Sequence, residues 1–463
     1  MNHLESSSAP KITVIGTGYL GATHAICMAI MGFDVLGCDV DTHKIDQLRA
    51  GKVPFYEPGL PEKLQEALAS GRLKFTTDLD DVAEFGDVHF ICVGTPQAPN
   101  SSAANLSYVE SAFSGLAARI GRKALLVGKS TVPIGTAERL TALVAGISPL
   151  GAELELAWNP EFLREGFAVQ DTLHPDRLVF GVRSPWAEDM LRRAFKPLLD
   201  DGTPLIVADL ATAELVKVAA NSFLATKISF INAMAEVCEA TSADVSLLAS
   251  ALSLDDRIGG RFLKPGLGFG GGCLPKDIRA FKHRAEELGV GQAVSFLGEV
   301  DSINNRRRVR TVDLVRELAG GDLAGVKVAA LGAAFKPNSD DVRDAPALDV
   351  ARMLYLEGAI VSVYDPEANS NAHRLYPDLN YVRSLAAAVE QADVVALLTE
   401  WEEFRAADPD DLGILVRHRR IVDGRHALDP ERYTSRGWDY RALGRPYQPS
   451  MATAVGPVQD NAA

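Results

Sequence analysis

The sequence predicts an α/β fold: two Rossmann-like, doubly wound domains joined by a central domain of long helices. Three observations carry this. Short apolar runs alternate with helical patterns from residue 11 to about residue 207, as in a mostly parallel sheet. A second alternation of the same kind begins near Gly325. Between them, from Ala211 to about Leu252, the pattern changes to long helices. The expected boundaries are 11–207, 208–315 and 316–446. Residues 1–10 are polar and serine-rich, and residues 447–463 carry Pro, Ala, Gln and Asn without periodicity. Both ends are expected to be disordered.

The first unit opens with the strand pattern Lys11–Gly16, the loop Gly16-Thr-Gly18-Tyr19-Leu20-Gly21 and an apolar helical stretch Ala22–Met31. A second strand, Phe33–Cys38, ends at Asp39, 18 residues beyond Gly21. This is a complete dinucleotide-binding unit. Its glycines allow a tight turn and close phosphate approach, its helix N-terminus faces the pyrophosphate, and its carboxylate meets the ribose hydroxyls. An acid at this place favours NAD over NADP, a preference that Lys44 nearby weakens slightly. Further strands are expected at Leu73–Thr76, Val88–Val93, Ala124–Lys129, Leu154–Trp158 and Leu178–Val182. Ligands bind at the carboxyl ends of such strands. Cys92-Val-Gly94-Thr95-Pro96, Lys129-Ser-Thr131-Val-Pro133 and Asn159-Pro-Glu161-Phe162-Leu163-Arg164-Glu165 all leave strand ends. Taken singly, the first two are better read as ordinary turns, and a solvated helix start explains the third equally well.

In the central stretch Glu214, Lys217 and Asn221 fall at i, i+3 and i+7, one polar stripe on an otherwise apolar helix. Such a stripe is either a buried functional face or a solvated Glu–Lys pair. Asp255-Asp-Arg257 then leads to Leu263-Lys264-Pro-Gly-Leu-Gly268-Phe-Gly270-Gly-Gly272-Cys273-Leu-Pro275-Lys276-Asp277. A helix opened by Pro275 and running to Arg284 would put Cys273 near a helix N-terminus beside Lys276, conditions that favour a thiolate. The same residues also fit a glycine-rich loop with an inert cysteine. No strand precedes the loop, so its literal G-x-G-x-x-G is rejected as a dinucleotide fingerprint. The last unit reads as strand Val326–Leu331, turn Gly332-Ala-Ala-Phe335-Lys336, helix Asp344–Leu356 and strand Ile360–Tyr364, with strands at Val394–Leu398 and Ile421–Asp423. Its turn lacks the phosphate fingerprint, so a different ligand is expected there, with Lys336 and Arg343 as candidate phosphate or base contacts.

Length and composition exclude several classes. A chain of 463 residues is too long for one core. A net charge of −14 argues against nucleic acid or an anionic membrane as the main partner. Five cysteines without C-x-x-C pairs make no disulfide framework, and the nine histidines show no metal-binding spacing, so no metal site is expected. The N-terminus is unlike a signal peptide, and no apolar run approaches the ~20 residues of a bilayer span. The sequence reads as cytoplasmic.

Taken together, these motifs resemble the nucleotide-sugar 6-dehydrogenases, the UDP-glucose/GDP-mannose dehydrogenase family. The resemblance spans roughly residues 11–445 and rests on the order of the quoted motifs, with Lys217-Val-Ala-Ala-Asn221, Phe335-Lys336 and Arg343. One departure is Gly272, where the family commonly has serine. The resemblance implies twofold oxidation of a sugar C6 alcohol to a carboxylate, with two NAD⁺ and no metal. It makes Cys273 the nucleophile that captures the aldehyde as a thiohemiacetal, oxidised next to a thioester. Lys217 and Asn221 would stabilise the alkoxide or oxyanion, and Glu161, Thr131 and Asp277 would handle proton and water chemistry. Glu165, Lys276, Thr95, Thr131, Lys44 and Arg343 join Gly16, Gly18, Tyr19, Leu20, Gly21 and Asp39 around the cofactor. Glu161, Phe162, Leu163, Arg164, Lys217, Asn221, Phe262, Lys264, Gly270, Phe335 and Lys336 would hold the nucleotide sugar. Arg257 would reach the substrate of a second subunit, in a homodimer or higher homo-oligomer built on the central helices. UDP-glucose is the expected substrate. GDP-mannose and UDP-N-acetylmannosamine are the nearer alternatives, and a β-hydroxyacid dehydrogenase or a non-enzymatic NAD sensor the more distant ones.

Overall fold

A computed structural model describes residues 9–447, so the expected disorder at 1–8 and 448–463 lies outside the described residues. The chain forms two compact units. One holds residues up to Ala220 with Arg279–Gly291, the other Asn221–Ile278 with the chain from Gln292 onward.

The first unit is built on β1 (Ile12–Ile15), β2 (Val35–Cys38), β3 (Leu73–Thr76), β4 (Val88–Ile91), β5 (Leu125–Gly128), β6 (Glu155–Trp158), β7 (Leu178–Gly181) and β8 (Leu205–Ala208). They form one eight-stranded sheet in the order β3-β2-β1-β4-β5-β6-β7-β8. Neighbours run parallel except β6 and β7, which meet antiparallel at Trp158 and Gly181. Alternation along the strands divides the core between the two faces. Ile12, Val14, Phe90, Val127 and Phe180 pack on one side. Ile15, Ile91, Leu126, Trp158 and Val179 pack on the other. A sheet buried on both faces is why these strands read as continuous apolar runs. β8 was not expected from the sequence. Ile206 and Val207 are exposed at the sheet edge, and the run merges with the apolar start of the following helix.

The second unit contains β9 (Lys327–Leu331), β10 (Ile360–Tyr364), β11 (Asn380–Tyr381), β12 (Val394–Leu397), β13 (Arg420–Asp423) and β14 (Asp439–Ala442). These form a parallel six-stranded sheet in the order β11-β10-β9-β12-β13-β14. Both sheets reverse strand order beside their first strand, between β1 and β4 and between β9 and β12, the switch point where ligands bind in such folds. The polar edge strands β11 and β14 carry no apolar run and escaped sequence reading.

Helix limits also moved. The first helix is Tyr19–Ile30, not Ala22–Met31, because Gly18 takes the N-cap inside the glycine loop. The long central helix is Leu210–Thr241, and a shorter one follows at Val245–Ser253. The helix after the cysteine loop is Leu274–Glu287, so Pro275 stands at its second position rather than its first.

Candidate active site

In the first unit the loops at the carboxyl ends of β1, β4, β5 and β6 carry the candidate residues. A Cβ on Gly21 would overlap the carbonyl oxygen of Gly16, so the helix can close on the strand only with glycine there. The helix N-terminus is open. Its Gly18 cap offers no side chain, and its first turn holds no acid. Asp39 ends β2 and is tied to this loop. Its Oδ2 accepts from the Thr17 amide at 2.8 Å and the Thr17 hydroxyl at 3.2 Å. Lys44 lies 3.7 Å from Asp41, which caps the next helix. A helix start without a side-chain cap, close backbone approach and a fixed carboxylate fit a dinucleotide with free ribose hydroxyls. The Thr95 hydroxyl donates to the Thr131 carbonyl at 2.8 Å, joining two of the expected cofactor positions.

Beside them Glu161 joins Lys129 and Asn159, two buried residues to which sequence reading gave no role. The Lys129 ammonium sits 2.9 Å from Glu161 Oε2 and donates to Asn159 Oδ1 at 2.9 Å. Glu161 Oε1 accepts the amides of Phe162 at 2.8 Å and Leu163 at 2.9 Å. Burial alone would raise the Glu161 pKa, but the charge and hydrogen bond of Lys129, with these two amides, outweigh it and hold the carboxyl below its usual range. The Phe162 ring lies under the Arg177 guanidinium at 3.8 Å and the Lys217 ammonium at 5.4 Å, measured to the ring centroid. Arg164 turns to Asp171, with contacts of 2.9 and 2.6 Å.

Two further carboxylates anchor this region. Glu57 is buried, accepts from the Tyr19 hydroxyl, and takes the amides of Gly166 at 2.6 Å and Ala168 at 2.7 Å. Glu214 accepts the amides of Gly135 and Ala137, both at 2.7 Å, at the start of the helix Thr136–Ile147. Burial pushes its pKa up to about 7 despite those amides. Glu214 therefore stands on the buried face of its helix rather than on a solvated one. Lys217 is half-buried and Asn221 buried.

In the second unit the glycine loop is held from several sides. Asn232 takes the Gly266 amide at 3.0 Å. Asn304 accepts from the Phe269 amide at 2.8 Å and donates to the Phe269 carbonyl at 2.9 Å. Arg425 donates to the Gly268 carbonyl at 2.9 Å. Gly271 adopts φ +85° over the Phe335 ring, a position where a side chain would collide with that ring. A Cβ on Gly270 would strike the Asp344 carbonyl, and one on Gly272 the Arg343 guanidinium. The family's serine at 272 would thus displace Arg343, which here forks onto Asp341 with its shortest contact at 2.6 Å.

Cys273 caps the 274–287 helix, its carbonyl accepting the Asp277 amide at 2.9 Å. It is exposed, whereas Cys27, Cys38, Cys92 and Cys238 are buried. The buried Asp277 accepts from Asn221 Nδ2 at 2.7 Å and lies 3.1 Å from the Lys276 ammonium. Asn221, Lys276, Asp277 and Cys273 are thus assembled around one helix start. Arg257 is exposed and pairs with Asp255 at 2.6 Å. Phe262 sits at φ +64°, unusual for an aromatic residue, and Lys264 is exposed. Lys336 lies 5.2 Å from the Phe335 ring centroid.

Sequence reasoning missed Lys129, Glu57, Asn232, Asn304 and Arg425 as organising groups. The available signal was a lone polar residue closing or interrupting an apolar run, as Lys129 does after Leu125–Gly128.

Comparison with known proteins places this geometry. Three family models match in succession, all of the UDP-glucose/GDP-mannose dehydrogenase family. They are the NAD binding domain at residues 10–199, the central domain at 211–306 and the UDP binding domain at 329–430. UDP-glucose 6-dehydrogenase of Rhizobium meliloti (strain 1021) is 40% identical over 438 residues, 94% of this chain and 100% of that protein. The chain belongs to the UDP-glucose/GDP-mannose dehydrogenase family. Among solved structures, a UDP-glucose dehydrogenase from Pyrobaculum islandicum superposes with a TM-score of 0.86 at 38% identity, covering 95% of this chain and 99% of that one. UDP-D-ManNAc dehydrogenase from Pyrococcus horikoshii gives 0.82 at 28% identity, covering 94% and 99%. As a member of this family the chain is an NAD-dependent dehydrogenase acting on a nucleotide sugar. A β-hydroxyacid dehydrogenase or a non-enzymatic sensor is displaced as a reading. Among the described residues no group of three or more His, Cys, Asp or Glu could hold a metal ion, and no helix is long and apolar enough to cross a membrane.

Proposed function

We propose that the chain oxidises UDP-glucose at C6 in two steps to UDP-glucuronate through a covalent adduct on Cys273. The observation that carries this reading is the exposed Cys273 at the head of the 274–287 helix, beside Asp277, Asn221 and Lys276. Identity supports UDP-glucose over the acetamido sugars, at 40% and 38% against 28%. NAD⁺ accepts one hydride in each oxidation. Sulfur holds the intermediate aldehyde so that the second oxidation has a carbon-bound hydrogen to remove. Lys217 and Asn221 stabilise the oxygen that gains charge. Thr131 and Asp277 order groups for water attack, and Glu161 accepts the water proton. The phosphate and base of the nucleotide sugar fall to the Phe335–Arg343 region of the UDP binding domain.

Two finer readings go with it. The free thiols suit a reducing compartment, so the cytoplasm is the proposed location. A homodimer is proposed through the central helices, where Phe223, Phe230 and Val237 leave an apolar stripe exposed at 66%, 48% and 54%. Arg257, exposed in one chain, would serve its partner.

Cys273→Ser tests the chemistry. Turnover should nearly vanish while NAD⁺ and UDP-glucose still bind, and the wild type should release two NADH per sugar. Two-NADH turnover retained by the serine variant would overturn the reading.

A further inference from the structure

We infer that Lys129 is a positioning residue for the deacylation base, keeping the Glu161 carboxylate ionised and aimed so that hydrolysis of the sugar thioester persists at acid pH. The inference rests on the proposed role of Glu161 and deepens it.

The geometry separates the two partners by function. The Lys129 side chain is only 4% exposed, sealed behind the carboxylate, whereas Glu161 keeps 19% of its side chain open. An ion pair serving stability alone has no need of one open member. A base that must meet water does. The ammonium is fixed independently of its partner, by Asn159 Oδ1 at 2.9 Å and by the Phe90 and Phe195 rings, whose centroids lie 5.9 and 5.8 Å away. Asn159 is itself held by the Val179 carbonyl at 3.0 Å. Lys129 is therefore a charge fixed by contacts other than Glu161.

Among the described residues, Lys129 is the cation paired with this carboxylate. His24, buried close enough to feel Lys129, is kept neutral by burial and by that same lysine. The Cys27 and Cys92 thiols, both within range of Glu161, are pushed up to about 12 by burial and stay neutral. Arg177 and Lys217 lie over the next ring, Phe162, and not on the carboxylate. Removing Lys129 takes away the charge and the hydrogen bond that oppose burial most, leaves only the Phe162 and Leu163 amides against it, and so moves Glu161 toward the protonated acid. A protonated Glu161 cannot accept a proton from water.

Water oxygen bonds to the thioester carbonyl carbon while one water proton passes to Glu161. Collapse breaks the carbon–sulfur bond, and sulfur leaves with the electron pair and recovers the proton from Glu161. The acid product releases its remaining proton to solvent. Only an ionised Glu161 can begin this sequence.

The test follows the covalent adduct by rapid-quench intact mass spectrometry, with UDP-glucose and NAD⁺, from about pH 4 to about pH 9. Wild type, Lys129→Met, Lys129→Arg and Glu161→Gln are compared. Lys129→Met should move the acid limb of adduct decay upward by at least about one pH unit, a tenfold loss on the acid side. Its rate should recover at high pH, and Lys129→Arg should stay near wild type. If methionine prevents folding, Lys129→Gln, which can still donate to Asn159, carries the same measurement. A slowing by one constant factor at every pH, or no change, would overturn the inference. Glu161→Gln separates the failures. If it accumulates adduct while the Lys129→Met limb stays put, only the Lys129 inference falls. If it never shows adduct, the role of Glu161 as base falls.

Discussion

Two carboxylates in this protein, Glu161 and Glu214, are given opposite characters by their surroundings. Glu161 faces a fixed ammonium and stays ionised, whereas at Glu214 burial outweighs two amides and the charge of Arg284 and pushes the pKa from 4.5 up to about 7. A carboxyl whose folded pKa is raised favours the fold when protonated. Its contribution is complete below the unfolded value near 4.5 and is lost as pH rises through about 7. The full span is on the order of 3 kcal/mol. Glu214→Gln removes the titration. Its stability relative to wild type should therefore rise between about pH 5 and about pH 8, by an amount of that order. Denaturant unfolding of both proteins across this range measures the difference, and a gap independent of pH would refute the raised value. Since Glu214 sits one turn before Lys217 on the same helix, the variant also reports whether the start of the Thr136–Ile147 helix needs its acid.

At the level of elements, Glu57 does what no strand pairing does. It ties the glycine loop, through Tyr19, to the amides of Gly166 and Ala168 at the end of the Glu161–Glu165 segment. The loop expected to meet the cofactor and the segment expected to meet the sugar thus share one buried carboxylate. Glutamine at 57 presents an N–H where an acceptor is needed and leaves a buried amide unpaired, at a cost of about 1–3 kcal/mol. Glu57→Gln should lower stability by that amount and raise KM for NAD⁺ and for UDP-glucose together. Loss of stability with both KM values unchanged would show a purely structural junction. The partners in this contact are separated by 109 residues, which is why the sequence could not announce it. Tyr56-Glu57-Pro58 reads as a plain turn, while the glycine loop is legible because its geometry is local.

Over the whole molecule the same division holds. Two α/β units and the long helices between them were readable from apolar periodicity, since buried parallel strands and amphipathic helices write their burial into consecutive residues. β8, β11 and β14 were not, because edge strands are exposed or polar. The motif loops were readable, yet the groups that hold them, Lys129, Asn232, Asn304 and Arg425, are single polar residues whose partners arrive only on folding. The stripe of Phe223, Phe230 and Val237 belongs to a third kind. Its spacing of seven places the three side chains along one face of the 210–241 helix, and each remains largely exposed in the single chain. Exposed aromatics so aligned on a helix call for a covering surface, and a second copy presents the same stripe. Burying each phenylalanine would contribute about 1.5–3 kcal/mol. The double substitution Phe223→Ser, Phe230→Ser should therefore turn a dimer into a monomer by light scattering, with secondary structure unchanged by circular dichroism. Activity should fall with the mass, because Arg257 would lose the partner it is proposed to serve. Arg257→Ala should cut activity while leaving the mass at that of a dimer. A serine variant that keeps the dimer mass would move the interface elsewhere. A fully active monomer would remove the partner's role from the reaction altogether.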